Sequence, residues 1–158
     1  MLVLGLGNPI LGDDGVGWHV AQSVQQRLAE LSNTDRVIDV DFIAVGGLSL
    51  MERMVGYDHV ILIDALSDQE HPLGSLYVSD LEELPKHSQG RLCSAHDVSL
   101  IHALELGKLA GAHIPDRITI VGIAAEAVYD FSDRLSPAIE QAVPEAVQCV
   151  MNLINKEL

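Results

Sequence analysis

The opening segment, Met1-Leu-Val-Leu-Gly-Leu-Gly-Asn-Pro-Ile-Leu-Gly-Asp-Asp-Gly-Val-Gly17, restricts this chain more than any other. Leu2–Leu6 is an unbroken apolar run, the pattern of a strand covered on both faces, and such strands belong to parallel sheets. It passes directly into a loop holding Gly7, Pro9, Gly12, Gly15 and two adjacent acids, Asp13 and Asp14. So little of that loop can pack a core that it reads as a site. A phosphate-cradling loop offers backbone N–H groups and usually a lysine. Asp13 and Asp14 would repel a phosphate and suit a cation or a metal-bearing partner instead.

The rest of the chain alternates strand and helix patterns. Helices are expected over Gly15–Leu31, Leu48–Val55, Asp97–Gly111 and Arg134–Ile154, the last with a stripe of Leu135, Ile139, Ala142, Val143, Ala146, Val147, Val150 and Ile154. Strands are expected over Arg36–Ala44, Asp58–Leu66, Gly74–Ser79 (an edge strand) and Arg117–Ile123, with a polar loop over Asp80–Cys93. Alternation of this kind predicts an α/β fold: three α/β/α layers around a mainly parallel twisted sheet. Ligands of such sheets sit beyond the carboxyl ends of the strands. The Gly7–Asp14 loop and Asp64, at the end of the Val60–Ile63 run, both fall at that edge.

Charge and composition narrow the function. Nine Lys+Arg against 23 Asp+Glu give a formal charge of −14, which repels nucleic acid and anionic membranes. Cys93 and Cys149 are too few and too far apart for a zinc framework, and read as a reduced cytosolic pair. With no signal-peptide pattern and no membrane-length apolar run, the expectation is a cytoplasmic protein.

Asp14, Asp64 and His96 form the candidate constellation. Two carboxylates and an imidazole suit a divalent ion such as zinc or nickel, and three protein ligands leave positions open for water or substrate. Each residue also has a plain structural reading. One of the two loop acids is suited to cap the first helix, and Asp13 is assigned that role. Asp64 could orient a loop. His96 could simply open a helix capped by Ser94 or Asp97. Other chemistries fit less well. Gly5-Leu-Gly7 begins a dinucleotide fingerprint, but its third glycine position is Ile10. There is no Gly-x-Ser-x-Gly elbow, and Cys93 near His96 is a weak nucleophile signal.

The chain resembles the hydrogenase maturation endopeptidases, which process the large subunit of nickel–iron hydrogenases. The resemblance is carried by Leu4–Gly17, Val60-Ile-Leu-Ile-Asp-Ala65 and Ser94-Ala-His96, followed by Gly122–Glu126 and Leu135-Ser-Pro137. It covers essentially the whole chain. By motif, the family's metal ligands fall on Asp14, Asp64 and His96. The resemblance implies a single maturation-protease domain over 1–158, phosphorylase/hydrolase-like in fold. It implies an aspartic-type endopeptidase that removes the C-terminal extension of a nickel-loaded large-subunit precursor. Nickel would be supplied by that precursor and serve as a recognition mark, with zinc or cadmium able to occupy the same ligands and no organic cofactor. The implied partner is the precursor alone, with no nucleic acid, no membrane, and a monomeric enzyme. Gly46 and Gly47 are candidate substrate contacts, because glycine lets another backbone approach closely.

One segment departs from the family. Many members carry Asp-Gly-Gly-Thr where this chain has Val45-Gly46-Gly47-Leu48. The role of that family acid does not transfer here. Two alternatives follow: a non-catalytic factor that holds the nickel-loaded precursor, and a peptidyl-tRNA hydrolase, whose start resembles Gly5-Leu-Gly-Asn-Pro9. The second lacks its Thr-Arg-His-Asn motif and the basic surface that tRNA requires.

Overall fold

The computed structural model describes residues 1–31, 37–67, 71–83, 99–126 and 131–156. Among them are strands β1 (Leu2–Leu6), β2 (Asp39–Ile43), β3 (His59–Ser67), β4 (Leu76–Asp80) and β5 (Arg117–Ala125). The helices are α1 (Val16–Glu30), α2 (Gly47–Met54), α3 (Leu100–Leu109) and α4 (Pro137–Lys156). The strands form one sheet in the order β2-β1-β3-β5-β4. β1, β2, β3 and β5 run parallel, and β4 pairs antiparallel with β5 at the edge. The three-layer α/β/α architecture expected from the alternating pattern is what forms.

The apolar runs explain the layers. Successive side chains of a strand point to opposite faces. Leu2, Leu4, Leu6, Val60, Leu62, Ile118 and Ile120 therefore bury on one face, against Leu50, Met51 and Met54 of α2 and Leu100 and Ala103 of α3. Val3, Ile61, Ile63, Val121 and Ile123 bury on the other, against the apolar stripes of α1 and α4. The central strands are therefore mostly hydrophobic, because neither face meets water, and the buried Asp64 of β3 stands out among them.

The strand order creates the site. The chain leaves β1 for β2 on one side, and β3 then pairs on the other side of β1. The connections diverge there, so the carboxyl ends of β1 and β3 flank a crevice. α1 lies very close to this point. A Cβ on Gly5 would press on the Gly17 carbonyl and the Ala21 side chain, and one on Gly17 would collide with the carbonyls of Leu6 and Ile63. Larger residues would lift the first turn of α1 off the sheet and open the crevice.

Candidate active site

The loop after β1 is folded by its own backbone. Gly7 sits at φ +111°, and a Cβ there would overlap the carbonyl oxygen of Asp14. Only glycine lets the chain reverse so tightly. The Gly7 N–H donates to the Ile43 carbonyl at 3.2 Å, which ties the loop to the end of β2. Leu11 N–H donates to Asn8 O at 3.0 Å, and a 3-10 turn over Gly12–Gly15 then leads into α1. Asp14 folds back across this loop, its Oδ2 accepting the Asn8 N–H at 2.6 Å. A charge-assisted bond of that length holds the carboxylate in one orientation.

Asp64 comes from β3. It ends the apolar run but lies inside the strand, which continues to Ser67, one residue past the expected Leu66. The reason is the unequal length of its neighbours. β1 pairs with β3 only as far as Gly5 opposite Ile63, whereas β5 keeps pairing to Ala125 opposite Ser67. Asp64 is thus the first β3 residue beyond the β1 pairing, and it is 7% exposed. Burial pushes its carboxyl up to about 8, the charge of Asp14 adds to the rise, and a hydrogen bond from the Ala65 backbone opposes it. The structure has therefore brought together two acids that are distant in sequence, close enough for one to disfavour ionisation of the other.

The structure assigns Asp13 elsewhere than expected. The cap position of α1 is Gly15, with no side-chain cap hydrogen bond. Asp13 is buried, and its Oδ1 accepts the Ser136 N–H at 2.6 Å, immediately before α4. The 3-10 turn intervenes between Asp13 and α1, so this acid serves the start of a different helix. Sequence reading missed this partner because it lies 123 residues away.

His96, with Ser94, Asp97, Cys93 and most of the Asp80–Cys93 loop, lies outside the described residues. The helix that follows runs over Leu100–Leu109, and its cap is Ser99, whose Oγ accepts the His102 N–H. After α3, Asp116 and Arg117 both donate backbone N–H groups to Asp58 O, at the amino end of β3. α3 therefore runs toward the amino edge, and its start, about 15 Å away, points to the carboxyl edge that carries Asp14 and Asp64. Gly46 and Gly47 form the turn from β2 into α2 at the same edge, with Gly47 at φ +58°. Val45 and Leu48 beside them are exposed.

Two buried or half-buried carboxylates that repel one another suit a cation. Ionisation of both becomes favourable when a divalent ion lies between them, and carboxylate oxygen is a common ligand of zinc and related metals. Among the described residues no group of three or more His, Cys, Asp or Glu side chains is assembled for a metal. Asp14 and Asp64 alone leave most of the coordination sphere for other donors. No helix among the described residues is long and apolar enough to cross a membrane.

The fold and the paired acids at its crevice define a three-layer α/β protein with a cation-suited centre. Its relatives give the class more sharply. The family model of the hydrogenase maturation proteases matches residues 19–153. That span includes Asp64 and His96 and starts just after the Asp14 loop. The hydrogenase 2 maturation protease of Escherichia coli (strain K12) is 26% identical over 151 residues, covering 96% of this chain and 88% of that protein. The hydrogenase maturating endopeptidase HybD from E. coli superposes with a TM-score of 0.77 at 22% identity, covering 99% and 92% of the two chains. That likeness concerns the fold. The hydrogenase 2 maturation peptidase from a Thaumarchaeota archaeon is 29% identical, with a TM-score of 0.64 and coverage of 97% and 96%. This chain belongs to the hydrogenase maturation protease family and is a peptidase.

Proposed function

We propose that this peptidase removes the C-terminal extension of a nickel-loaded nickel–iron hydrogenase large-subunit precursor, and that Asp14, Asp64 and His96 grip the nickel carried by that substrate. The observation that carries the reading is the buried Asp64 carboxyl, raised to about 8 beside Asp14 at the crevice between β1 and β3. A carboxyl in that state is mostly protonated at neutral pH and gives up its proton more readily when a cation arrives. The centre would thus distinguish a metal-loaded precursor from an empty one. His96 supplies the third donor in this reading, since it shortly precedes α3, whose start points to the same edge.

The roles of the chain's residues follow. Asp14, pre-oriented by the Asn8 N–H, would contact the metal without reorganising. Asp64 would lose its proton on capture and anchor the ion on the sheet. The nickel, as part of the substrate, brings Lewis acidity close to the peptide to be cut. Gly46 and Gly47 would admit the substrate backbone beside the centre. The acting compartment is proposed to be the cytoplasm and the acting form a monomer.

The test is cleavage. The purified protein is mixed with large-subunit precursor, nickel-loaded or nickel-free, and the product is weighed by mass spectrometry. Loss of a C-terminal peptide from the loaded form alone supports the reading. Cleavage of both forms alike would remove nickel from it. Stable capture without a mass change would instead describe a holding factor, with Val45 in place of the family's Asp as the first residue to revert.

A further inference from the structure

Asp13 is the buried charge that the proposed centre does not use. It is 7% exposed, yet it neither caps α1 nor forms an ion pair among the described residues. Its carboxylate accepts the short hydrogen bond from the Ser136 N–H. That bond is part of a larger seam. The Gly12 N–H donates to Ser132 O at 2.7 Å, the Ser132 N–H donates to Ile10 O at 3.0 Å, and Leu11 bridges Ser132 in parallel. The stretch leading into α4 is thus stitched along the outside of the loop that carries Asp14. Ser136 O in turn accepts the Glu140 N–H at 2.8 Å, so Ser136, just before α4, is anchored to the helix's first turn.

α4 is a long helix, packed on the sheet through Ile139, Ala142, Ala146, Val147 and Val150. It is a rigid body compared with a glycine-rich loop. An acid tied to its N-terminus is held by the free N–H groups and by the positive end of the helix dipole. Asp14 is the next residue along, and its carboxylate is held by the Asn8 N–H within the glycine-rich loop itself. A loop with Gly7, Gly12 and Gly15 needs an external reference to keep one geometry, since glycine backbone has the most conformations to lose.

We propose that Asp13 is a positioning residue: through Ser136 it transmits the rigidity of α4 to the 3-10 turn and so sets the orientation of the Asp14 carboxylate. This rests on the reading of Asp14 as a metal-contacting acid, but its first readout does not. Asp13 acts here as a hydrogen-bond acceptor and contributes no donor atom to the metal.

Asp13→Asn keeps an oxygen that can accept the Ser136 N–H, whereas Asp13→Leu keeps the size and loses the acceptor. Ser136→Pro removes the donor from the other side without touching Asp13, and Ser136→Ala retains it as a control. The Asn8 amide proton, which reports the bond to Asp14 Oδ2, is followed by NMR in folded variants. Asp13→Asn and Ser136→Ala are expected to leave it at its wild-type position; Asp13→Leu and Ser136→Pro are expected to shift it upfield and speed its exchange. Should Asp13→Leu fail to fold, Ser136→Pro carries the comparison. Cadmium affinity, measured by calorimetry, is expected to fall about tenfold or more in the two disrupting variants and to hold in the two conservative ones, the range found when residues orienting a ligand are removed. An unmoved Asn8 amide in the disrupting variants overturns the proposal. So does a loss in Asp13→Asn equal to that in Asp13→Leu, which would mean that the charge, not the acceptor, matters. A wild-type protein that shows the Asn8 pattern but ignores cadmium would keep the positioning role and remove the metal reading instead.

Discussion

Asp64→Asn should stabilise the metal-free protein at alkaline pH and have much less effect in acid. The native carboxyl titrates at about 8, against 3.8 for an unperturbed one. Between those values the folded state binds more protons than the unfolded state, so stability falls as pH rises through that window. One pKa unit corresponds to about 1.4 kcal/mol, so between pH 5 and pH 8 this single group removes up to about 4 kcal/mol. Asparagine does not ionise, and its own buried amide costs about 1–3 kcal/mol at both pH values. The stability difference between variant and wild type should therefore swing by about 2–4 kcal/mol in the variant's favour between pH 5 and pH 8, allowing for relaxation around the charge. Urea unfolding of both proteins with EDTA present, at each pH, measures the swing, because titrations common to both proteins cancel. A difference that stays constant across the two pH values would refute the account of Asp64 as a buried acid held neutral by its surroundings. Asp14→Asn should reduce the swing without abolishing it, since burial is the larger cause and the Asp14 charge the smaller.

Three further outcomes are expected of the proposed centre and its loop. Binding of zinc or cadmium should release protons and tighten from pH 6 to pH 8, seen by calorimetry in buffers of different ionisation enthalpy; proton-free binding would place the metal elsewhere. His96→Ala should leave the protein folded but weaken capture of nickel-loaded precursor in a pull-down, and unchanged capture by the folded variant would remove His96 from the centre. Gly7→Ala should cost at least about 1–3 kcal/mol, because it meets both the positive φ and the Asp14 carbonyl; a neutral result in thermal unfolding would mean the loop can open without strain.

Local pattern carries much of this protein. The apolar runs at Leu2–Leu6 and Val60–Ile63 could only be strands covered on both faces, and their alternation with helical stripes fixes a layered α/β fold. The acids after β1 stood out because a glycine-rich loop has little else to offer. These features depend on residues a few positions apart, which is the range over which strand and helix periodicity act. Pairings across the sheet have no such local signature. The position of Asp64 within β3 depends on β5 outlasting β1, a matter of register between three strands. Its raised pKa depends first on burial in the packed sheet and then on Asp14 arriving from the loop after β1. The role of Asp13 depends on where α4 begins, and α4 is brought to the site only when its stripe packs beside α1 on one face of the sheet. Composition and periodicity thus determine which elements form and which acids are spare. Only the packed sheet decides which acid faces the crevice and which one holds a helix, because burial and charge proximity come from residues that the chain keeps far apart until it folds.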